Sequence, residues 1–180
     1  MPSVIGRQIQ VVSAKGSYLN TDTGAKLFDG TASLWYANIG HGREEMAKVA
    51  YEQMKTLDSY HVFGRYTNNR AVELAETLVS MAPIDDAKVI LNSGGSDSID
   101  VALKLARRYW NQVGYTSKKV IISREHSYHG LHAYGTSVAG LDFNREGYGS
   151  DSLVDGPERI DKPSTEAFAE AIERIGAENI

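Results

Sequence analysis

Asn92-Ser93-Gly94-Gly95-Ser96-Asp97 sets a small, Gly-rich turn between the apolar run Val89-Ile90-Leu91 and a long amphipathic pattern. A helix that starts there points unpaired N–H groups and the positive end of its dipole at one spot, and both favour an anion. Glycine lets the backbone come close to a ligand, and Ser96 adds a hydroxyl at the helix start. A phosphate-bearing ligand near Gly94, Gly95 and Ser96 is the chemistry these types suggest. The purely structural alternative makes Ser96 an N-cap, with Asp97 and Asp100 favouring the first turn. The spacing is neither G-x-x-x-x-G-K-[ST] nor G-x-G-x-x-G, so nucleoside triphosphate and dinucleotide binding lose support. Gly94 to Ser98 comes near the G-x-S-x-G nucleophile elbow, but Ser98 replaces the last Gly. No His follows the later acids, so the Ser–acid–His order of that hydrolase fold fails within the chain.

A second group, Ser127-Tyr128-His129-Gly130, directly follows the β-branched run Lys119 to Ser123 (KVIIS). It is expected at the carboxyl edge of the same sheet as the glycine turn, where open α/β sheets bind ligands. Tyr128 can lay its ring on a flat ligand, and His129 can give or take a proton. A packed Tyr and a helix-start His are the plain alternative. His126, His129 and His132 recur every three residues, but no nearby acid completes a metal set. Glu125 would face away from His126 in an extended chain, so no metal site is expected. The third group is Leu34-Trp35-Tyr36-Ala37-Asn38-Ile39-Gly40-His41-Gly42-Arg43. Trp35 and Tyr36 could wall a pocket and Arg43 could meet a carboxylate; a core Trp and a surface Arg are the alternative.

The elements that must position these groups are readable from periodicity. Residues 7–36 read as short strands and turns around Asp22-Thr23-Gly24. Helical spacing recurs over 43–58 (Met46, Val49, Ala50, Met54, Leu57) and 69–81 (Ala71, Leu74, Leu78, Met81), the latter stopped by Pro83. Val89–Leu91 reads as a short buried strand. The next helix runs from Ser96 to about Asn111 on a face of Ile99, Ala102, Leu103, Ala106 and Trp110, with Gly114 beyond it. Residues 129–139 read as a weaker helix and 140–163 as a long loop. Ser164 is expected to cap a last helix that ends at Gly176. Strands alternating with helices argue a parallel α/β sheet. So few strands with so much helix would leave that sheet under-covered, and the chain is expected to be part of a larger protein.

The chain has 180 residues, 42% hydrophobic, enough for a real core. A net charge of −4 gives no basic field for nucleic acid, and the absence of Cys excludes disulfides and thiolate metal sites. The start, MPSVIGRQIQ, has no apolar signal core, and no apolar run is long enough to span a membrane. A cytoplasmic protein is expected.

The order of Gly16-Ser17-Tyr18-Leu19, Asp29-Gly30, Asn38 to Arg43, Asn92 to Asp97, Ala102-Leu103-Lys104-Leu105-Ala106-Arg107 and Tyr128-His129-Gly130 resembles the class III pyridoxal-phosphate aminotransferases. That group includes the omega-amino-acid:pyruvate transaminases. The resemblance runs from about Val4 to Ile180. It implies an α/β enzyme of fold type I for pyridoxal-phosphate-dependent transferases. Residues 1–40 would be N-terminal strands of the small domain, and 41–180 the first part of the large cofactor-binding domain. It implies that Gly94, Gly95 and Ser96 hold the phosphate of pyridoxal 5'-phosphate, that Tyr128 stacks on the pyridine, and that His129 and Asp97 lie beside the cofactor. Asp97 stands where the family usually has Glu, and Gly94 where many relatives have Ser or Thr. It implies a substrate pocket with Trp35, joined by Tyr36 and Arg43, small amine and keto-acid substrates, and a homodimer. Residues 60–70, aromatic and Gly-bearing for a surface loop, are expected at that interface or in the pocket. The family's Schiff-base Lys and its pyridine-partner Asp have no match among these residues. The chain as given is therefore expected to be inactive alone. An aminomutase of the same fold, or a truncated cofactor-binding subunit, is the alternative.

Overall fold

The computed structural model describes residue 6, residues 8–161 and residues 164–180. The start of the resemblance at Val4 and Pro163 of the expected loop lie outside them. Contacts divide the chain into two units, residues 1–72 and 73–180.

The first unit opens on an antiparallel three-stranded meander, β1 (Val11–Lys15), β2 (Tyr18–Thr21) and β3 (Lys26–Phe28), in the order β1-β2-β3. The hairpins turn where sequence placed the punctuation, at Gly16 and at Asp22-Thr23-Gly24. Thr21 is buried there, and its hydroxyl accepts the Ala25 N–H at 3.0 Å. Helices α1 (Glu44–Thr56) and α2 (Asn69–Met81), the latter crossing the boundary after Val72, match the expected spans. Asn68 caps α2, its side-chain oxygen taking the Ala71 N–H at 2.9 Å. The stripe of α1 is helical in spacing but not buried: Met46, Val49 and Met54 are all more than half exposed.

The second unit is α/β. It runs α3 (Gly95–Gln112), β4 (Ile121–Arg124), α4 (Ala133–Val138), β5 (Pro157–Ile160) and α5 (Thr165–Ile175). Strands β4 and β5 pair in parallel, in register Ile121↔Pro157 to Arg124↔Ile160, as alternation predicts. Among the described residues the buried apolar side chains are Val138, Ala139, Ile160 and Ala171, so this core sits between α4, β5 and α5. Ser164 caps α5 by accepting the Ala167 N–H at 3.1 Å, and Gly176 ends it with φ 86°.

Three expectations are corrected. Val89–Leu91 is neither a paired strand nor buried: no neighbour among the described residues supplies a ladder, and Ile90 and Leu91 are exposed. Residues 140–163 are not one loop, because β5 lies inside them. Pro157 opens β5, which hid it, yet proline is tolerated at a strand's first residue. Ser96 is not the N-cap of α3: Gly94 takes that position and Gly95 begins the helix.

Close backbone packing fixes the turn after β4. A Cβ on Gly140 would stand 2.1 Å from the Arg124 carbonyl oxygen, and Gly140 exchanges backbone hydrogen bonds with His126 (2.8 Å) and Ser127 (2.9 Å). Gly140→Ala should therefore cost about 2–4 kcal/mol, the range for a forced backbone shift in a packed site. Urea unfolding followed by far-UV circular dichroism checks it; a variant as stable as the parent would contradict the packing described.

Candidate functional site

Gly94 has an extended backbone (φ −171°, ψ 177°) and no side chain, so the first turn of α3 has no side-chain cap. Its leading N–H groups, at Gly95, Ser96 and Asp97, are the donors that an uncapped helix start offers. Space beside Gly95 is open, with nothing within 4 Å of an added Cβ. Ser98 turns inward instead, its hydroxyl donating to the Gly94 carbonyl at 3.0 Å. The geometry is that of an anion cup: free donors, a helix dipole of five turns, and backbone unshielded by side chains.

The second motif is docked on this cup. Gly130 has φ 103°, and a Cβ on it would lie 2.8 Å from both Cα and Oγ of Ser96. The Ser96 hydroxyl accepts the Leu131 N–H at 3.2 Å. One turn along α3, the Asp100 carboxylate accepts the Gly135 N–H at 3.0 Å and so satisfies the start of α4. Sequence assigned Asp100 to its own helix; its partner lies 35 residues away. Asp97 faces His132, with Oδ1 3.3 Å from Nδ1.

Two clefts flank this junction. One of about 520 Å³ is lined by Leu91, Asn92, Ser93, Asp97, Asp100, Val101 and His132. The other, about 450 Å³, takes in Ser123, Arg124, His129, Ser164 and Phe168. His129 thus lines a different cleft from Asp97, and Tyr128 lines neither and is 58% exposed. Burial, and then the charge of Arg124, holds the His129 imidazole below its usual pKa, so it is neutral at pH 7. The three histidines do not converge: no cluster of metal-ligand side chains occurs among the described residues.

The third motif belongs to the first unit and has its own architecture. Ala32, Ser33, Leu34 and Trp35 all have positive φ (48°, 51°, 55° and 86°). Each left-handed non-glycine residue costs about 1 kcal/mol or more, so this turn persists only if its surroundings hold it. Asp29 does the holding. One carboxylate oxygen accepts from the Thr31 N–H and hydroxyl, both at 3.0 Å; the other accepts from Ser33 N–H at 3.1 Å and His41 Nε2 at 2.7 Å. His41 is anchored in turn by a two-way backbone bridge to Gly16 (3.0 and 2.8 Å). Trp35 and Tyr36 stand out from this turn, 85% and 88% exposed. Arg43 is already engaged, donating to the Ile39 carbonyl at 2.9 Å and pairing with Glu45, whose carboxyl it holds below the usual range. Sequence reading passed over Asp29 and His41 as chemistry, although an acid twelve residues before a His was visible inside two quoted motifs.

With this geometry in view, the chain is placed by its relatives. It belongs to the class III aminotransferases: residues 3–160 match the family described as Aminotransferase class-III. It is 36% identical over 131 residues to a putrescine–pyruvate aminotransferase of Pseudomonas aeruginosa, covering 73% of this chain and 29% of that protein. It is 34% identical over 160 residues to a beta-alanine–pyruvate aminotransferase of the same organism, covering 86% and 36%. Among solved structures, a transaminase from the marine bacterium Virgibacillus aligns at TM-score 0.88 and 35% identity, over 96% of this chain and 40% of that one. An amine transaminase from an uncultivated Pseudomonas species, in its PLP-bound form, aligns at TM-score 0.87 and 30% identity, over 96% and 43%. The chain spans about a third of the length of the curated relatives it matches. The fold is the N-terminal part of fold type I of the pyridoxal-phosphate-dependent transferases.

Two outcomes test these arrangements. Gly130→Ala should lower stability by about 2–3 kcal/mol and expose the Leu131 amide to exchange, whereas Gly95→Ala, with open space around it, should stay within about 1 kcal/mol of the parent. Thermal unfolding with amide exchange measures both. The second concerns pH. The His41 hydrogen bond, with those from Thr31 and Ser33, draws the Asp29 pKa from 3.8 to about 2. A carboxyl with a depressed folded pKa stabilises the fold above its unfolded pKa and loses that contribution as pH falls through the folded one. Order in the Gly30–Gly40 turn should therefore weaken from about pH 3.8 down to about 2. Amide exchange across that window checks this, and Asp29→Asn should flatten the dependence.

Proposed function

We propose that this chain supplies the phosphate cup and the substrate-facing turn of a transaminase, which moves an amino group from an amine or omega-amino acid to a keto acid such as pyruvate. The observation that carries the proposal is the uncapped start of α3, at which Gly95 and Ser96 offer N–H donors beside open space. That donor set fits the phosphate of pyridoxal 5'-phosphate, with Gly94 keeping side chains clear of it. Tyr128 is the ring to lie on the pyridine, with His129 and Asp97 beside the cofactor. When bound, the cofactor supplies the electron sink for a carbanion at the amine carbon. The chain's part is to anchor it at the α3 start, keep His129 neutral, and present Trp35 and Tyr36 to the amine's substituents. Arg43 would meet a substrate carboxylate by exchanging it for Glu45. Residues 1–40 belong to the small domain and 41–180 to the large one in this proposal. The assembly is a homodimer with residues 60–70 at its interface, in the cytoplasm. The aromatic cluster of Tyr60, His61, Phe63 and Tyr66 supports that interface. No helix of the described residues is long and apolar enough to cross a membrane.

Cofactor binding without turnover by these residues alone is the second reading, and the lysines favour it. Lys118 is committed to the Ala177 and Ile180 carbonyls, both at 2.7 Å, and lies over the Trp110 ring. Lys104 and Lys119 are on α3 and ahead of β4, away from the cup at the α3 start.

Equilibrium titration of pyridoxal 5'-phosphate with the 180-residue chain, followed by ligand fluorescence, should show binding that inorganic phosphate competes away. Ser96→Ala should weaken it at least about tenfold, the loss of one hydrogen bond from its hydroxyl to a charged group. Binding indifferent to phosphate and to Ser96 would sink the cup. The same preparation given an amine donor and pyruvate should form no alanine; turnover would sink the second reading.

A further inference from the structure

The Asp29–His41 pair is absorbed by neither the phosphate cup nor the cofactor chemistry, yet it is heavily bonded. The Asp29 side chain is 5% exposed and accepts four hydrogen bonds. At neutral pH this carboxylate only accepts, so His41 Nε2 donates. Both bonding partners on the loop side, Thr31 and Ser33, border or belong to the left-handed run Ala32–Trp35. The far end of the turn is closed by Ala37 N–H to Ala32 carbonyl (2.9 Å), Gly40 N–H to Ala37 carbonyl (2.9 Å) and the Gly16–His41 bridge. Gly40 (φ 85°) and Gly42 (φ 65°) let the chain pass close to Gly16 and to the Ala14 carbonyl.

We infer that Asp29 and His41 are positioning residues for substrate choice: joined to each other, they hold the base of the Gly30–Gly40 turn and so fix the faces that Trp35 and Tyr36 present. This rests on the proposed assignment of Trp35 and Tyr36 to the substrate pocket. Neither Asp29 nor His41 touches the substrate. They act through a backbone conformation that non-glycine residues do not keep unaided. The ligand affected is the amine's substituent, because residues 30–40 carry two large aromatic faces and no Lys or Arg to pair with an anion.

The chain has two tryptophans, Trp35 and Trp110, so a Trp110→Phe background makes Trp35 the sole reporter. In it, His41→Leu and Asp29→Asn should erase most of the Trp35 near-UV circular dichroism. They should also raise amide exchange at Leu34, Ala37 and Gly40 at least about tenfold, as expected from losing a hydrogen bond to a charged group. Thr21 and Asp22, at the other end of the meander, should keep their protection. His41→Gln, which retains an N–H donor at similar reach, should restore both signals. Unchanged Trp35 dichroism and exchange in His41→Leu and Asp29→Asn overturn the inference, as does a His41→Gln chain as disordered as His41→Leu. Should His41→Leu also strip protection from Thr21 and Asp22, Asp29→Asn decides: selective loss in the turn upholds the inference and no loss overturns it. The readout needs neither cofactor nor amine. A failure of the pocket assignment, seen as Trp35→Ala leaving amine preference unchanged in the complete enzyme, is thereby kept apart from a failure of the clamp.

Discussion

The start of α3 has to satisfy two opposed demands. Its first N–H groups have no side-chain cap, which the proposed phosphate cup requires, yet a helix start without a cap is poorly held. The structure meets both by bracing the turn from the side. Gly130 lodges against Ser96 closer than any side chain would allow, and Ser96 spends its hydroxyl on Leu131 rather than on its own helix. Asp100, one turn on, repeats the arrangement toward α4. The α3 start stays uncapped because the Ser96 hydroxyl accepts from Leu131 and the Asp100 carboxylate from Gly135, and neither takes a leading N–H group of α3. The rest of the second unit follows: β4 delivers the 127–130 turn, Gly140 clips that turn in place, and the small buried core of α4, β5 and α5 supports the clip.

The first unit solves a related problem with different chemistry. A turn of four left-handed residues carries Trp35 and Tyr36 into solvent, where no packing fixes them. A buried carboxylate with four donors replaces packing as the source of order. Arg43 contributes at the turn's end through the Ile39 carbonyl. Ordering the turn from behind leaves its aromatic faces exposed, as bracing α3 from the side leaves its amides uncapped.

Much of the local structure was legible from the residues. The spans of α1, α2, α3 and α5 follow apolar spacing and the signals Pro83, Ser164 and Gly176. The parallel pairing of β4 and β5 follows from alternation of strand and helix. What failed did so for identifiable reasons. Val89–Leu91 has strand composition, but a ladder needs a neighbour, and composition does not supply one. β5 was concealed by Pro157 and by Glu158 and Arg159, polar residues at a place where burial was not anticipated. The stripe of α1 has helical phase yet stays exposed, because periodicity specifies a face and not what covers it.

By itself, the sequence determined which residues have the capacity for the chemistry: glycines and a serine at the turn into a long helix, an aromatic-histidine-glycine turn after a strand, and the ordered motifs that place the chain among the class III aminotransferases. These are local properties, set by covalent chemistry and by spacing along one element. Only the tertiary structure decided the partners. Ser96 meets Gly130, Asp100 serves Gly135 across 35 residues, His129 and Asp97 part into separate clefts, and Asp29 finds His41. The physical reason is that a hydrogen bond or a close backbone approach is fixed by position in space to a few tenths of an ångström. Residue type states what a group can donate or accept, and folding alone brings the other half within reach.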